Sequence, residues 1–204
     1  MTIRRGEPWG TVGRAPAGTV HVHTNVELAA LLQRHRSAHA PLPPVALLGG
    51  DLMRAVGGTG EESRLNGEVA LLPVDIVRAT IDAEHRWFAA HLVARRSWWR
   101  GELVAAMNAQ HFGRWDVAPR SHPNDGRVDI VRVSPEMSLR DRWRARSRAV
   151  QAAHVPHPDI QVRSTNTANL QFTRPMKVWL DGQVWTTASG LELTVEPDAL
   201  LVCV

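Results

Sequence analysis

From about residue 66 onward the chain reads as short apolar bursts cut by Gly, Pro, Asn and Asp. Residues 69–77, 87–94, 100–107, 128–133, 159–163, 170–173, 177–180, 183–187, 191–195 and 200–204 each carry the pattern of a half-buried strand. Between two of these bursts, Asp181-Gly182 predicts a two-residue hairpin turn, because both central positions of a type I′ turn need positive φ. One stretch breaks the rhythm: from Ser138 to about residue 153 an Arg-rich body around Leu139 and Trp143, with an Ala-rich end, predicts a helix.

The first third reads differently. Residues 1–19 are rich in Gly, Pro and Arg and predict an extended arm. A short strand over 20–23 leads into a helix over 27–35, with Asn25 as its expected cap. The Pro-rich break at 40–44 precedes an apolar strand over 45–48, then a glycine turn, a short helix and a Gly stop over 49–58. The expected fold class is therefore α/β with a dominant antiparallel β-sandwich. A small α/β segment over 1–62 precedes a larger β-rich domain over 63–204.

Composition narrows the function without naming it. A pI near 10.7 accompanies a net charge of only +4, because the basic residues are nearly all Arg, with Lys177 the one lysine. This reads first as a habit of composition and second as a preference for anionic partners. Cys203 stands alone, which excludes an internal disulfide and a cysteine-based zinc site. The pairs His21/His23 and His154/His157 have no acidic or cysteine partner at a zinc spacing. A secretory apolar core, a bilayer-length apolar run, a G-x-S-x-G elbow and a G-x-x-x-x-G-K-[ST] loop are all missing, so a soluble cytoplasmic protein is expected.

Three passages carry a resemblance. Leu47-Leu-Gly-Gly-Asp-Leu-Met-Arg-Ala-Val-Gly resembles a P-x-G-T-x-N-D-x-A-R-x-L-G segment. Met107-Asn-Ala-Gln-His-Phe-Gly-Arg-Trp-Asp-Val-Ala-Pro with Asn124-Asp-Gly-Arg-Val-Asp-Ile-Val resembles an N-x-x-x-x-G-G-G-x-x-x-x-P … D-G-x-L-D-V-V stretch. Val178-Trp-Leu-Asp-Gly-Gln with Leu193-Thr-Val-Glu-Pro-Asp-Ala-Leu resembles a terminal V-x-x-D-G-E … I-x-V-x-P-x-A-L. In this order they are similar to the bacterial diacylglycerol kinase and sphingosine-kinase-like lipid kinase family, over about residues 45–204. That family pairs a nucleotide-binding α/β domain with a β-sandwich. The resemblance makes 1–62 a truncated remnant of the nucleotide-binding domain and implies ATP and Mg²⁺ as cofactors. It implies phosphate or nucleotide contacts at Gly49, Gly50, Asp51 and Arg54, ligand contacts at Asn108, Asp181, Gly182 and Gln183, and a structural magnesium near Asp125 and Asp129.

Two departures bear on activity. The family's G-G-D-G-T loop is replaced by His21-Val-His-Thr-Asn-Val-Glu, whose side chains block the close backbone approach that phosphate needs. The family's general-base carboxylate becomes Gln183, and an amide takes no proton near neutral pH. The chain is expected to be catalytically inactive and to bind a phosphate-bearing or lipid-like ligand or a protein partner. An active ATP-dependent lipid kinase completed by a partner chain is one alternative, and nucleic-acid binding through the Arg-rich helix is the other.

Each candidate also has a plain structural reading. Asp51 is a natural helix cap, Asp125 and Asp129 begin a strand, and Asp181-Gly182 is simply a turn. The cluster Arg95, Arg96, Trp98, Trp99 and Arg100 reads as packing, at a subunit contact of a homodimer if exposed. The alternating Arg140, Arg142, Arg144, Arg146 and Arg148 would spread around a helix, solvated or resting on a peripheral membrane surface.

Overall fold

A computed structural model describes Ile3 and residues 9–204 of the chain. Strand β1 (Thr11–Gly13) is followed by β2 (Val20–Val22), α1 (Asn25–Ser37), β3 (Val45–Leu47) and α2 (Gly50–Ala55). The rest of the expected arm, residues 1–2 and 4–8, lies outside the described residues. A 3-10 turn (Glu62–Asn66) leads to β4 (Val69–Ile81), β5 (Glu84–Phe88), β6 (His91–Arg95), β7 (Leu103–Met107), β8 (His111–Phe112), β9 (Trp115–Asp116) and β10 (Val128–Val133). Helix α3 (Leu139–Arg148) and a 3-10 turn (Ala149–Gln151) precede β11 (Ile160–Thr165), β12 (Thr167–Leu180) and β13 (Gln183–Cys203).

Among the described residues eleven strands form one sheet, running β1-β4-β13-β12-β6-β7-β10-β11, with β5 on β4 and β2 on β3. The ladder is antiparallel except at β2-β3 and β3-β13, where Val202 pairs with Val45. Residues 20–47 thus extend the same sheet as the carboxy-terminal strand. Register shifts at 171/176 and 178/179 on β12 and at 196/200 on β13 bend these two long strands. The bent sheet folds into the expected sandwich-like domain. Val77, Leu92, Val104, Ile130, Phe172, Val178 and Leu193, from both halves, meet in one core.

Two further cores flank it. Leu28, Leu31 and Leu32 of α1 and Leu52 of α2 pack with Val74, Ile76 and Val202. On the opposite side, Val93, Ala105, Met107 and Val131 show the outer face of β6, β7 and β10 to Met137 and Ile160, with Ala145 of α3 against them.

Four expectations are corrected. The cap of α1 is Thr24, whose hydroxyl accepts from the Glu27 amide at 3.1 Å, while Glu27 accepts from the His23 amide at 2.7 Å. This reciprocal arrangement resembles a capping box, and it frees Asn25 for another task. The expected strand over 87–94 is two strands, split by a turn at Ala89-Ala90. The bursts at 170–173 and 177–180 are one strand, as are those at 183–187, 191–195 and 200–204, because bulges let a long strand change face without stopping. The Arg-rich helix ends at Arg148 and not near 153.

What holds α3 on the sheet is Arg142, buried at 5% exposure. Its guanidinium donates to the carbonyls of Gly101, Ser134 (2.7 Å) and Met137 (3.3 Å). Arg142→Met removes the donors and leaves three carbonyls without them, so it costs roughly 2 kcal/mol. Hydrogen exchange should show the loss concentrated in 138–151; uniform protection there would refute this anchoring.

Candidate functional site

The turn between β5 and β6 is the knot of the molecule. Asp181, fully buried at the tip of the β12-β13 hairpin, accepts three successive amides: Ala89 at 2.9 Å, Ala90 at 3.1 Å and His91 at 2.8 Å. Its own amide donates to the His91 carbonyl at 2.9 Å. From the other side the Asn108 side-chain amide donates to the carbonyls of Ala89 (2.7 Å) and Asp75 (2.9 Å). The amides of Asn108 and Ala109 donate to the Ala90 carbonyl. Asp181 and Gly182 both take positive φ, 45° and 91°, as the type I′ turn demands. Burial raises the Asp181 pKa, against the pull of the His91 charge and the three amides.

His91 links this knot to the α2 turn. Its Nε2 donates to Asp51 Oδ2 at 2.9 Å, with the imidazole 3% exposed. Asp51 also accepts from the Asn25 side-chain amide (2.8 Å) and from the Gly113 amide (2.8 Å), while its own amide donates to Asn25 Oδ1 (2.8 Å). Burial pushes the Asp51 carboxyl up, but the hydrogen bond and charge of His91, with Asn25 and Gly113, outweigh it and hold it below the usual range. Arg54 donates to the Gly113 carbonyl, so α2 clasps the β8-β9 turn from both sides. The cap of α2 is Gly49 and not Asp51.

The two glycines at this turn serve close packing. A Cβ on Gly49 would lie 2.1 Å from the His23 carbonyl oxygen, and one on Gly50, at φ +92°, 2.3 Å from Asn25 Oδ1. The α2 turn and the α1 turn are pressed against each other.

The structure thus brings Asp51, Asn108 and Asp181 together around His91 and the 89–91 turn. Gln183 lies apart, exposed, in a groove of about 380 Å³ beside Ala29, Ala30 and Gln33 of α1 and Trp185. Asp125 and Asp129 sit elsewhere, near Asp75. Asp125 accepts from the Arg127 amide at 2.9 Å and Asp129 from the Ser164 hydroxyl. Asp75, fully buried in β4, accepts from the amides of Gly126 (2.7 Å) and Asp198 (2.9 Å). Burial, with the charges of Asp129 and Asp75, pushes Asp125 up to about 6. Oδ1 of Asn124, on the same loop, is buried with no hydrogen-bond partner. These are oxygen donors of the kind a hard cation takes. Among the described residues no three His, Cys, Asp or Glu side chains converge as a metal cluster.

An apolar cavity of about 420 Å³ is the feature that reading the sequence missed. It lies between α3 and the outer face of the sheet, walled by Trp98, Phe112, Trp115, Val131, Met137 and Ala145. Phe112 packs edge-on against His91 at 4.6 Å between ring centroids, joining the cavity to the polar knot. Arg146 stacks over Trp115 at 4.4 Å and Trp99 at 5.4 Å. Behind the wall, Trp115 Nε1, His154 Nδ1 and the neighbouring Asp116 Oδ1 are buried without hydrogen-bond partners. Periodicity could not place this cavity, because its aromatic residues come from the β6-β7 loop and the short β8-β9 hairpin; the run of Trp and Phe from 98 to 115 was the available signal.

Among the described residues no helix is long and apolar enough to cross a membrane. A family model described as the YegS C-terminal NAD kinase beta sandwich-like domain matches residues 58–204. No curated protein matches. Three solved structures from Bacillus anthracis str. Sterne, assigned as diacylglycerol kinases, share the fold. One aligns with TM-score 0.62 at 12% identity over 90% of this chain and 84% of its own. The second gives 0.60 at 12% identity over 79% and 69%, and the third 0.54 at 14% identity over 79% and 66%.

Two outcomes test this geometry. Asp181→Asn keeps one acceptor oxygen but turns an amide N–H against the Ala89 N–H, so urea unfolding should show a loss of about 2 kcal/mol; an unchanged midpoint would contradict the clamp. Asp125 has a folded pKa above its unfolded one, so the folded state binds the proton more tightly and stability falls as pH rises from about 4 to 6. Asp125→Asn in chelator should therefore stabilise by ~1–2 kcal/mol near pH 8. The advantage should vanish below about pH 4, where both forms are uncharged.

Proposed function

The chain belongs to the YegS C-terminal NAD kinase beta sandwich-like domain family, and on that premise we propose that it is a diacylglycerol-kinase-like protein without phosphotransferase activity that binds a lipid-like ligand. The apolar cavity beneath α3 is the observation that carries this reading. Its size and aromatic lining suit a hydrocarbon chain, and burial of such a chain is favourable at about 0.8 kcal/mol per methylene.

Inactivity is supported by how the kinase-like positions are used. The residues present do not fit a triphosphate. Segment 21–27 has no glycine, and the space in front of Gly49 is taken by the His23 carbonyl, an acceptor that repels phosphate oxygens. Asp51 and Arg54 are committed to His91, Asn25 and Gly113. Gln183 carries no proton-accepting group, and general-base assistance is worth about two to four orders of magnitude in rate. Magnesium fits better than ATP: Asp125, with Asp129 and Asn124 nearby, offers oxygen ligands, and the ion would neutralise the crowded charge there.

Thermal unfolding with dioctanoylglycerol is the test. At about a hundredfold excess over Kd the midpoint should rise by roughly 5–10 °C, and Ala145→Phe, which fills the cavity, should abolish the rise. ATP with magnesium should give no rise beyond that of magnesium alone, and labelled phosphate should not reach the lipid. Transfer of labelled phosphate by the purified chain would overturn the assignment of inactivity; absence of any lipid-induced rise would overturn the cavity's role.

A further inference from the structure

We propose that α3 and the turn after it form a docking surface for an anionic lipid bilayer. The proposal is independent of what fills the cavity, and it rests on the face of α3 that the sheet does not cover. Arg142, Ala145 and Ala149 point the helix inward, where Arg142 and Ala149 are buried. At about 100° per residue, Leu139 and Trp143 of α3 fall on one stripe beside this inward face, and Val150, in the 3-10 turn that follows, extends it. All three are exposed: Leu139 by 49%, Trp143 by 62% and Val150 by 46%. Three large apolar side chains in one line on a helix this polar are costly in water and need a reason.

The flanks give the reason. On one side of the stripe Arg146 lies over Trp99, itself 41% exposed, at the mouth of the cavity. On the other side Arg140, Arg144 and Arg148 are exposed, and the acid of the helix, Asp141, is held by Ser138 at 2.7 Å and Arg144 at 3.7 Å. An apolar stripe bordered by guanidinium groups is the pattern of a helix lying in a membrane interface. Apolar side chains enter the acyl boundary, Trp sits at the headgroup level and Arg reaches the phosphates. Nucleic acid would use the arginines and Trp143 but leaves Leu139 and Val150 unexplained. A bilayer uses all of them, and it meets the cavity at its rim.

Vesicle sedimentation tests the surface directly. The chain should bind vesicles of phosphatidylglycerol and phosphatidylcholine at low salt and bind pure phosphatidylcholine at least tenfold more weakly. Replacing Arg140, Arg144 and Arg148 by Gln should weaken binding about fivefold per charge removed. Replacing Leu139, Trp143 and Val150 by Ala should weaken it at least tenfold with thermal unfolding unchanged, since all six side chains are exposed. Quenching by brominated lipid should drop in Trp143→Phe. Failure to sediment with anionic vesicles at low salt would overturn the proposal, as would binding that neither set of substitutions alters. Duplex DNA binding of equal strength, insensitive to the apolar substitutions, would also overturn it and point to nucleic acid. Cavity binding of dioctanoylglycerol, measured without vesicles and with the six residues replaced, separates the two readings.

Discussion

One buried carboxylate organises this fold. Asp181 lies where the two longest strands reverse, and it accepts the amides of three consecutive residues in a turn more than eighty positions earlier. A turn of two alanines and a histidine has no side chain that could satisfy those amides locally, and water cannot reach them. Burying the charge is costly; three oriented N–H groups and the nearby His91 offset part of the cost. Because the turn is clamped, His91 emerges in one direction, which fixes Asp51, then Asn25 and the start of α1. The chain from sheet centre to amino-terminal helix is a series of charge-assisted and neutral hydrogen bonds with few degrees of freedom.

This changes the meaning of the residues that resemble a kinase site. In an open cleft, Asp51, Arg54 and Asp181 would be available to a ligand. Here Asp51 makes four hydrogen bonds to three partners, Asn25, His91 and Gly113, and Asp181 is sealed from solvent. Glycine at 49 and 50 is required by the neighbouring turn at 23–25. A loop that approaches phosphate and a loop that approaches another backbone need the same missing Cβ, so the sequence pattern alone does not separate them.

The sandwich was legible in the sequence because its signals are local. Asp181-Gly182 states its turn type by composition, and the bursts at 69–77 and 128–133 are the short apolar runs of strands buried on both faces. The long β12 and β13 were not legible as single strands, since a bulge reverses the face of every later residue and breaks the alternation without breaking the ladder. The cap at Thr24 could have been read from the Glu three residues on; Asn25 was the nearer-looking choice and serves Asp51 instead. His91 carried no signal. Its role arises from a contact forty residues away in sequence, and nothing in the local pattern distinguishes it from any half-buried histidine. The cavity was hidden for the same reason, being made where the β6-β7 loop, the β8-β9 hairpin, the outer sheet face and α3 meet.

The position of α3 then has a physical explanation. A helix whose inward side is an arginine and two alanines buries little apolar area, so the three carbonyls gripping Arg142 do more to hold it than packing does. Alanines cannot fill the space above Val131 and Met137, and the remaining volume is the cavity. Filling it with larger side chains would strengthen the core at about 25 cal/mol per Å² buried. The chain instead keeps the gap, lines it with indole rings and sets Arg146 over its mouth. A weakly packed helix, pinned by one cation and bordering an apolar space, fits the proposed hydrocarbon-binding role, in which the ligand would supply the packing that the sequence leaves out.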